Sequence, residues 1–228
     1  MNHVPRSEIF DDVYFSPADG LAESRFVYLG GNNLSDSWSA KDNFTICELG
    51  FGTGLNFLAV LQLLEQGGDS KSPNSLHYIS FEKYPLSGGV IKDSLEHWPE
   101  LDSSLCSLLA NYPDVLLNGT YDLMIKDNVK LTLVIGDVND ELPKINNLVD
   151  CWFMDGFKPR SNPDMWSDIV FSNMARLSSA GTTFSTFTAV GYVRRGLKSV
   201  GFDVSRVSGF GYKWHMLLGT YKGNDKCE

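Results

Sequence analysis

The residues best suited to bind a ligand form a short segment, Glu48-Leu-Gly50-Phe51-Gly52-Thr-Gly54. Glycine has no Cβ, so three glycines at alternate positions let the backbone turn sharply and approach a bulky ligand. The segment follows a predicted buried strand and opens a predicted helix, which places it at the carboxyl edge of a sheet. It therefore predicts a ligand site, although a glycine-rich turn without a ligand is the alternative interpretation.

The spacing of the glycines indicates which ligand is bound. A dinucleotide fingerprint would need a third glycine at position 55, which is leucine. The acidic-x-Gly-x-Gly-x-Gly arrangement instead resembles motif I of class I S-adenosylmethionine methyltransferases. Glu82 and Lys83 end the second predicted strand, where a carboxylate accepts hydrogen bonds from ribose hydroxyls. Asp137 ends the third long strand, where these enzymes commonly place a polar group on the adenine amine. An ordinary strand-end acid and a Gly-Asp turn are the alternatives.

A further acidic residue, Asp155, stands at the tip of the fourth predicted strand and is followed by Gly156 and Phe157. Methyl transfer to an amine requires the neutral amine, held in line with the methyl group. A carboxylate can orient that amine and accept its proton, while an aromatic ring excludes water. Asp155 is therefore the candidate catalytic residue, and a helix-capping or loop acid is the alternative.

These residues require a particular set of elements to bring them together. Apolar or β-branched runs predict strands at residues 44–49, 76–81, 129–135, 151–154, 182–187, 202–207 and 214–220. Helical spacing occurs at residues 55–64, 86–98, 163–177 and 192–200, and loops are predicted at 66–74 and 111–119. The alternation predicts an α/β fold with a mostly parallel, doubly wound sheet. We predict one antiparallel hairpin at the C-terminus and another over residues 121–135.

Length and composition agree with a single folded domain. The 228 residues are 43% hydrophobic and 21% charged, which excludes a disordered or fibrous chain. No apolar run predicts a membrane span, and the N-terminus does not resemble a secretory signal. Four scattered cysteines, Cys47, Cys106, Cys151 and Cys227, argue against structural zinc and favour a reduced, cytoplasmic setting. We expect residues 1–43 to be an extension covering the site and residues 44–220 to be the core.

Long blocks of unusual sequence narrow the prediction to one family. The blocks ELGFGTGLNFL, SFEKYPLS, WFMDGFKPRSNPDMWS and TFTAVGYVRRGLKSVGF closely resemble the methyltransferase half of the bifunctional MnmC-type tRNA-modification proteins. So do DVYFSPADGLAESRFVYLGGNNL near the N-terminus and GFGYK-x-x-MLLG near the C-terminus. The resemblance implies N-methylation of 5-aminomethyl-2-thiouridine at the tRNA wobble position with S-adenosylmethionine. It also implies that the glycine-rich segment of residues 48–54, called the glycine loop below, holds the cofactor together with Glu82 and Asp137, while Asp155 and Phe157 face the amine.

Two departures from this family bear on the function. The sequence stops at residue 228, so we expect a stand-alone methyltransferase that uses neither FAD nor metal. A separate FAD-dependent oxidase or another enzyme would then supply the aminomethyl substrate. Where the family commonly reads Gly-Phe-Gly-x-Lys-Arg-Glu-Met, this chain has Lys213-Trp214-His215-Met216. A substrate contact is therefore lost or moved to Lys213 and His215. We expect His215 to be a half-buried strand residue, and a catalytic base is the alternative.

The charge distribution favours a nucleic-acid substrate despite a net charge of −9. Residues 1–155 hold 9 Lys and Arg against 23 Asp and Glu, whereas residues 156–213 hold 8 against 3. A basic stretch near the site would bind tRNA phosphates while the base enters between aromatic rings. The predicted substrate-binding residues are Phe157, Lys158, Arg160, Trp166, Arg194, Arg195 and Lys213. A solvated surface for the charges and a core position for Trp166 are the alternatives.

Two other functions remain open on the sequence. An aminopropyltransferase of the spermidine-synthase type also sets an amine against a relative of the same cofactor. Such an enzyme would carry a Gly-Gly-Gly-Asp-Gly loop and would gain nothing from basic residues around the site. A non-catalytic module that binds tRNA or an oxidase would be expected to have lost the glycine loop or Asp155, and this chain keeps both.

Overall fold

The computed structural model describes residues 4–39, 41–67 and 72–223. Within these residues, eight strands form one sheet in the order β5-β6-β4-β3-β7-β8-β10-β9. The central strands are parallel, as predicted: β3 (Asn43–Leu49), β4 (Ser75–Glu82), β6 (Val129–Ile135), β7 (Val149–Met154) and β8 (Ser178–Thr186). A separate two-stranded ribbon joins β1 (Arg6–Ser7) to β2 (Asp12–Val13). The α/β prediction is confirmed.

Helices cover both faces of the sheet because its central strands are apolar on both sides. Along β3, Phe44 and Ile46 join one hydrophobic core while Cys47 and Leu49 join the other. The first core contains residues of α3 (Leu55–Gly67), α4 (Gly88–Leu95) and α5 (Asp102–Leu109). The second contains residues of α6 (Val138–Glu141), α7 (Asp168–Arg176) and α8 (Gly191–Ser199). The carboxyl ends of the parallel strands remain open between the two layers.

Both predicted hairpins are present at the edges of the sheet. The strand β5 (Gly119–Lys126) pairs antiparallel with β6. At the other edge, β9 (Phe202–Ser208) and β10 (His215–Tyr221) form the C-terminal hairpin. The strand β10 lies between β8 and β9 and is antiparallel to both. The chain therefore forms the edge strand β9 first and then returns to place β10 between β8 and β9. The periodicity of the sequence does not reveal this order.

The helix predictions hold in type and differ in detail. The predicted helix at residues 163–177 divides into a 3₁₀ turn, Pro163–Trp166, and α7, whose N-cap Ser167 accepts a hydrogen bond from the Val170 amide. The predicted helix at 86–98 is shorter, and α5 was not predicted. The predicted loop at residues 66–74 lies partly outside the described residues, since α3 continues to Gly67 and residues 68–71 are not described. Cys227 also lies outside them.

The segment between β2 and β3 is largely helical and packs on the first core. It contains α1 (Gly20–Ser24), a π-helical turn (Arg25–Gly30) and α2 (Leu34–Trp38). Its buried residues include Leu21, Tyr28 and Trp38. Among the described residues, no helix has the length and apolar character needed to cross a membrane.

Candidate active site

A cavity of about 430 Å³ lies at the carboxyl edge of β3, β4, β6 and β7. Glu82, Asp137, Asp155 and the loop residues Gly50, Phe51 and Gly52 line it, as the sequence predicts, whereas Gly54 is not among the lining residues. Residues from the N-terminal segment also line it, including Phe10, Asp12, Tyr14, Glu23 and Tyr28. The predicted site residues that meet in the cavity therefore come from elements far apart in the chain.

The glycine loop has a backbone that other residues rarely adopt. The φ angles of Gly50, Gly52 and Gly54 are +97°, +55° and +76°, all in the left-handed region. A Cβ on Gly50 would lie 2.7 Å from the carbonyl oxygen of Asp155. The first glycine therefore lets the loop after β3 pass close to the tip of β7. A Cβ on Gly52 would lie 3.1 Å from the ring of Tyr14.

Glu82 ends β4 beside this loop. One carboxylate oxygen accepts a hydrogen bond from the Gly52 amide at 2.9 Å, and the other accepts one from the Tyr84 amide at 2.8 Å. Burial raises the pKa of Glu82, and these amide hydrogen bonds oppose the rise. Lys83 turns to Asp137, with Nζ and Oδ2 2.8 Å apart, while Asp137 also caps α6 through the Asn139 amide. Both acids line the cavity and are held there by these hydrogen bonds.

Asp155 is held by two side chains. The hydroxyl of Tyr28 donates to Oδ1, and Nδ2 of Asn56 donates to Oδ2 at 2.6 Å. Burial raises the pKa of Asp155 to about 7, and the nearby Glu23 carboxylate adds to the rise. The hydrogen bonds from Tyr28 and Asn56 act in the opposite direction, as does the charge of Lys213. The carboxylate is therefore positioned rigidly and can take up a proton near neutral pH.

Aromatic rings form one wall of the cavity. The Phe157 ring centroid lies 4.8 Å from that of Phe10 and 5.2 Å from that of Tyr14. All three residues line the cavity, and Phe157 follows Asp155 by only two positions. The predicted neighbourhood of a carboxylate and an aromatic ring is therefore present. Phe51 also lines the cavity, but its ring is buried and stacks on Tyr112 at 6.3 Å.

The predicted basic residues divide into two groups. Lys158 and Lys213 line the cavity and are already paired, Lys158 with Asp12 at 2.7 Å and Lys213 with Glu23. Arg160, Arg194 and Arg195 lie outside the cavity lining, and none of them forms an ion pair with a described carboxylate. The Tyr192 hydroxyl approaches the Pro159 carbonyl at 3.5 Å, so the start of α8 lies beside the loop that bears Lys158 and Arg160.

Comparison with known families identifies this arrangement. A family model described as S-adenosyl-L-methionine-dependent methyltransferase matches residues 99–222, more than half of the chain. The chain belongs to this methyltransferase family. The match covers Asp137, Asp155, Phe157 and the C-terminal hairpin, whereas the glycine loop lies before it.

Curated relatives extend the similarity over nearly the whole chain. A protein of Marinomonas sp. (strain MWYL1) is 46% identical over 219 residues, which is 95% of this chain and 32% of that protein. One of Pseudomonas fluorescens (strain ATCC BAA-477) is 45% identical over 224 residues, or 96% of this chain and 33% of that protein. Both are named tRNA 5-methylaminomethyl-2-thiouridine biosynthesis bifunctional protein MnmC. The methyltransferase chain thus spans about a third of their length.

Solved structures show the same fold. The crystal structure of MNMC2 from Aquifex aeolicus superimposes with a TM-score of 0.74 at 21% identity, covering 94% of this chain and 65% of that one. Spermidine synthase from Thermotoga maritima superimposes with a TM-score of 0.55 at 13% identity, covering 93% and 64%. At these identities the likeness establishes the fold of the methyltransferase chain.

Two predicted site residues of this methyltransferase have structural roles instead. Trp166 is only 3% exposed, and its Nε1 donates to the Phe157 carbonyl at 3.0 Å, so the prediction that it stacks on substrate is wrong. Its ring fills the second core beneath the Phe157 loop. Glu48 is only 1% exposed and does not line the cavity, so it does not contact the cofactor as predicted. It points inward because strand residues alternate in direction, and it accepts hydrogen bonds from Asn56 at 2.8 Å and Ser80 at 2.7 Å.

Several residues of the methyltransferase site were not predicted from the sequence. Tyr28, Asn56, Glu23 and Asp12 were missed because they act through partners distant in the chain. Tyr28 and Asp155, for example, are 127 positions apart. Asn56 offered a usable signal, since it lies in the first turn of the helix that the glycine loop opens. His215 begins β10, is half-buried as expected and does not line the cavity.

Proposed function

We propose that this methyltransferase N-methylates 5-aminomethyl-2-thiouridine at the wobble position of tRNA. The proposal is supported by the curated relatives, which align with nearly all of this chain and are named for synthesis of the methylated product. The single observation that carries it is the position of Asp155, held by Tyr28 and Asn56 in the same cavity as the glycine loop. A carboxylate in that position suits a reaction in which an amine must lose a proton.

The cavity fits the cofactor that the family uses. The glycine loop, whose glycines have positive φ and no Cβ, gives close access to the backbone, and the Glu82 carboxylate can receive ribose hydroxyls. We assign cofactor binding to Gly50, Gly52, Glu82 and, beside the adenine, Asp137 with Lys83. Gly54, which does not line the cavity, would instead let the chain turn into α3 through its positive φ. Bound S-adenosylmethionine supplies an electrophilic methyl group. Among the described residues, no three His, Cys, Asp or Glu side chains are grouped to hold a metal ion.

Asp155 is the residue that would accept the proton that the amine must lose. An alkylamine is largely protonated at neutral pH, and the cationic form has no lone pair for attack. Asp155 is a better proton acceptor than an ordinary aspartate because burial raises its pKa to about 7. Tyr28 and Asn56 fix both carboxylate oxygens, so the amine would meet a base in one orientation. The rings of Phe10, Tyr14 and Phe157 would exclude water beside it.

The charges around the cavity suit a polyanionic substrate. Arg160, Arg194 and Arg195 are free of carboxylate partners in the described chain and are available to tRNA phosphates. The paired Lys158 and Lys213 line the cavity, where they would meet the modified nucleotide. An enzyme that produces the aminomethyl group, such as an FAD-dependent oxidase, would supply the substrate. Because that substrate is tRNA, we also propose action in the cytoplasm.

An assay with three arms tests this function. The protein is incubated with S-adenosylmethionine and tRNA that carries 5-aminomethyl-2-thiouridine, and wobble nucleosides are analysed by mass spectrometry. We expect a mass increase of one methyl group at that nucleoside. In the second arm, putrescine and decarboxylated S-adenosylmethionine test for an aminopropyltransferase, whose product would contradict the proposal. Cofactor binding by calorimetry, without a product in either arm, would indicate a non-catalytic module.

A further inference from the structure

Two aromatic side chains are almost fully exposed in the loop between β9 and β10. In this segment, residues 209–214, Tyr212 is 98% exposed and Trp214 is 86% exposed. Single exposed apolar residues are common on protein surfaces, but two nearly bare aromatic rings two positions apart are not. The function derived above assigns them no role. We call residues 209–214 the aromatic loop.

The aromatic loop is held in place by main-chain hydrogen bonds and by the packing of one ring. The amide of Gly209 donates to the Trp214 carbonyl at 3.3 Å, and the amide of Lys213 donates to the Phe210 carbonyl at 3.0 Å. The ring of Phe210 turns inward and packs against Phe26, with centroids 5.7 Å apart. One aromatic residue thus anchors the loop while Tyr212 and Trp214 remain outside.

The aromatic loop adjoins the cavity through the residue between the two rings. Lys213 lines the cavity, pairs with Glu23 and places Nζ 4.8 Å from the centroid of Phe187. Tyr212 and Trp214 do not line the cavity themselves but are the chain neighbours of a residue that does. Arg206 on β9 is exposed near the same end of the hairpin and has no carboxylate partner among the described residues.

We infer that Tyr212 and Trp214 form a stacking surface for unpaired RNA bases that flank the nucleotide in the cavity. The inference rests on the proposed function, because it supposes that a nucleotide of a tRNA loop enters that cavity. Bases in RNA loops are unstacked and are commonly bound on aromatic rings, with basic side chains on the phosphates. A protein partner would instead favour a contiguous apolar patch, whereas here the basic residues Lys213 and Arg206 accompany the two rings.

Binding of an anticodon stem-loop RNA tests the inference. Trp214→Ala and Tyr212→Ala should each weaken binding roughly tenfold, the scale of one lost base–aromatic stack, and raise KM with kcat nearly unchanged. Trp214→Phe keeps a ring and should restore most of the affinity. The matched control is Leu148→Ala, an exposed residue (62%) before β7, at the opposite end of that strand from the cavity. Unchanged affinity for S-adenosylmethionine shows that each variant is folded.

A second measurement identifies the stacked base. An abasic site is introduced on the 5′ or the 3′ side of the target nucleotide, and each RNA is titrated against wild type and Trp214→Ala. If Trp214 stacks on that base, removing the ring and removing the base should cost no more together than either alone. Independent losses at both positions would contradict direct stacking.

The outcomes separate the two hypotheses. If wild type neither binds nor methylates the RNA, the proposed function fails and the inference fails with it. If wild type methylates the RNA but both alanine variants bind it normally, the function stands and the inference is overturned. In that case the exposed rings would belong to a protein contact, which co-purification with the oxidase would reveal.

Discussion

At the scale of single residues, the site depends on how Asp155 is surrounded. Burial alone would favour its neutral form, while the hydroxyl of Tyr28 and the amide of Asn56 stabilise the charged form. The balance gives a pKa of about 7, so the group is partly ionised at neutral pH. A base must be unprotonated to accept a proton. Methyl transfer should therefore slow as the pH falls below about 7.

Replacement of the carboxylate tests the role of Asp155. Asp155→Asn keeps the shape of the side chain but cannot take up a proton, so we expect methyl transfer to fall by roughly 10²-fold or more. Affinity for S-adenosylmethionine should stay within a few-fold of wild type in calorimetry. Raising the pH should partly restore the rate, because more of the substrate amine is then neutral. Unchanged turnover would reduce Asp155 to a structural acid.

Removal of the Tyr28 hydroxyl tests how the pKa is set. In Tyr28→Phe, the carboxylate loses a hydrogen bond that favours its charged form, so the pKa of Asp155 should rise further. The acid limb of the profile of rate against pH should then move to higher pH. Tyr112→Phe is the control, since that hydroxyl donates to the Leu86 carbonyl and does not touch Asp155. An acid limb at the wild-type pH would show that Tyr28 does not act on Asp155.

At the scale of elements, the loop between β3 and α3 connects cofactor binding to the rest of the site. Its three glycines have positive φ, and Gly50 passes close to the backbone of Asp155. The Asp155 amide in turn donates to the Leu49 carbonyl at 3.1 Å. The loop and the Asp155 carboxylate are thus fixed by the same pair of neighbouring strands.

A substitution in this loop should affect the cofactor first. In Gly52→Val, a β-branched residue would have to adopt a φ of +55°, and its Cβ would lie 3.1 Å from the Tyr14 ring. We expect the loss of measurable S-adenosylmethionine binding in calorimetry, with the fold retained by circular dichroism. Gly89→Ala in α4 is the control, because its Cβ would meet nothing closer than 3.9 Å. Normal binding by a folded Gly52→Val would contradict the placement of the cofactor.

At the scale of the whole molecule, charge is divided between the two ends of the sequence. Residues 1–155 hold 23 Asp and Glu against 9 Lys and Arg, whereas residues 156–213 hold 3 against 8. Around the cavity, Asp12 and Glu23 pair with Lys158 and Lys213, which leaves the arginines of α8 and Arg160 unpaired in the described chain. An acidic surface elsewhere would repel RNA and restrict docking to this side.

The salt dependence of tRNA binding tests the arginines of α8. Arg194→Ala with Arg195→Ala should weaken tRNA binding and leave S-adenosylmethionine affinity unchanged. Each lost phosphate contact should flatten the slope of log affinity against log salt by about 0.7 to 0.9. Arg194 is half-buried and Arg195 exposed, so we expect the loss of one contact rather than two. The control is Lys126→Ala, because Lys126 lies on β5 at the far edge of the sheet and pairs with Glu65. A slope equal to that of wild type would show that the arginines of α8 do not contact phosphates. The tRNA would then dock through Arg160, Lys158 and Lys213.

The parallel core and the ends of its strands can be predicted from local sequence patterns. Periodicity records which residues are buried, and glycines and acids at strand ends record where a sheet stops. The sequence therefore placed Gly52, Glu82, Asp137 and Asp155 at one edge, and they do line one cavity. Local sequence could not tell whether Glu48 and Trp166 face the ligand or the core, because that depends on the layer that packs against them.

The contacts between side chains that are distant in the sequence depend on long-range packing. The insertion of β10 between β8 and β9 depends on strand pairing at long range, and no local pattern encodes it. The same holds for the contact of Tyr28 with Asp155 and the pairing of Lys213 with Glu23. A pKa is a property of such contacts and of burial, so the sequence named Asp155 but folding determined its chemistry.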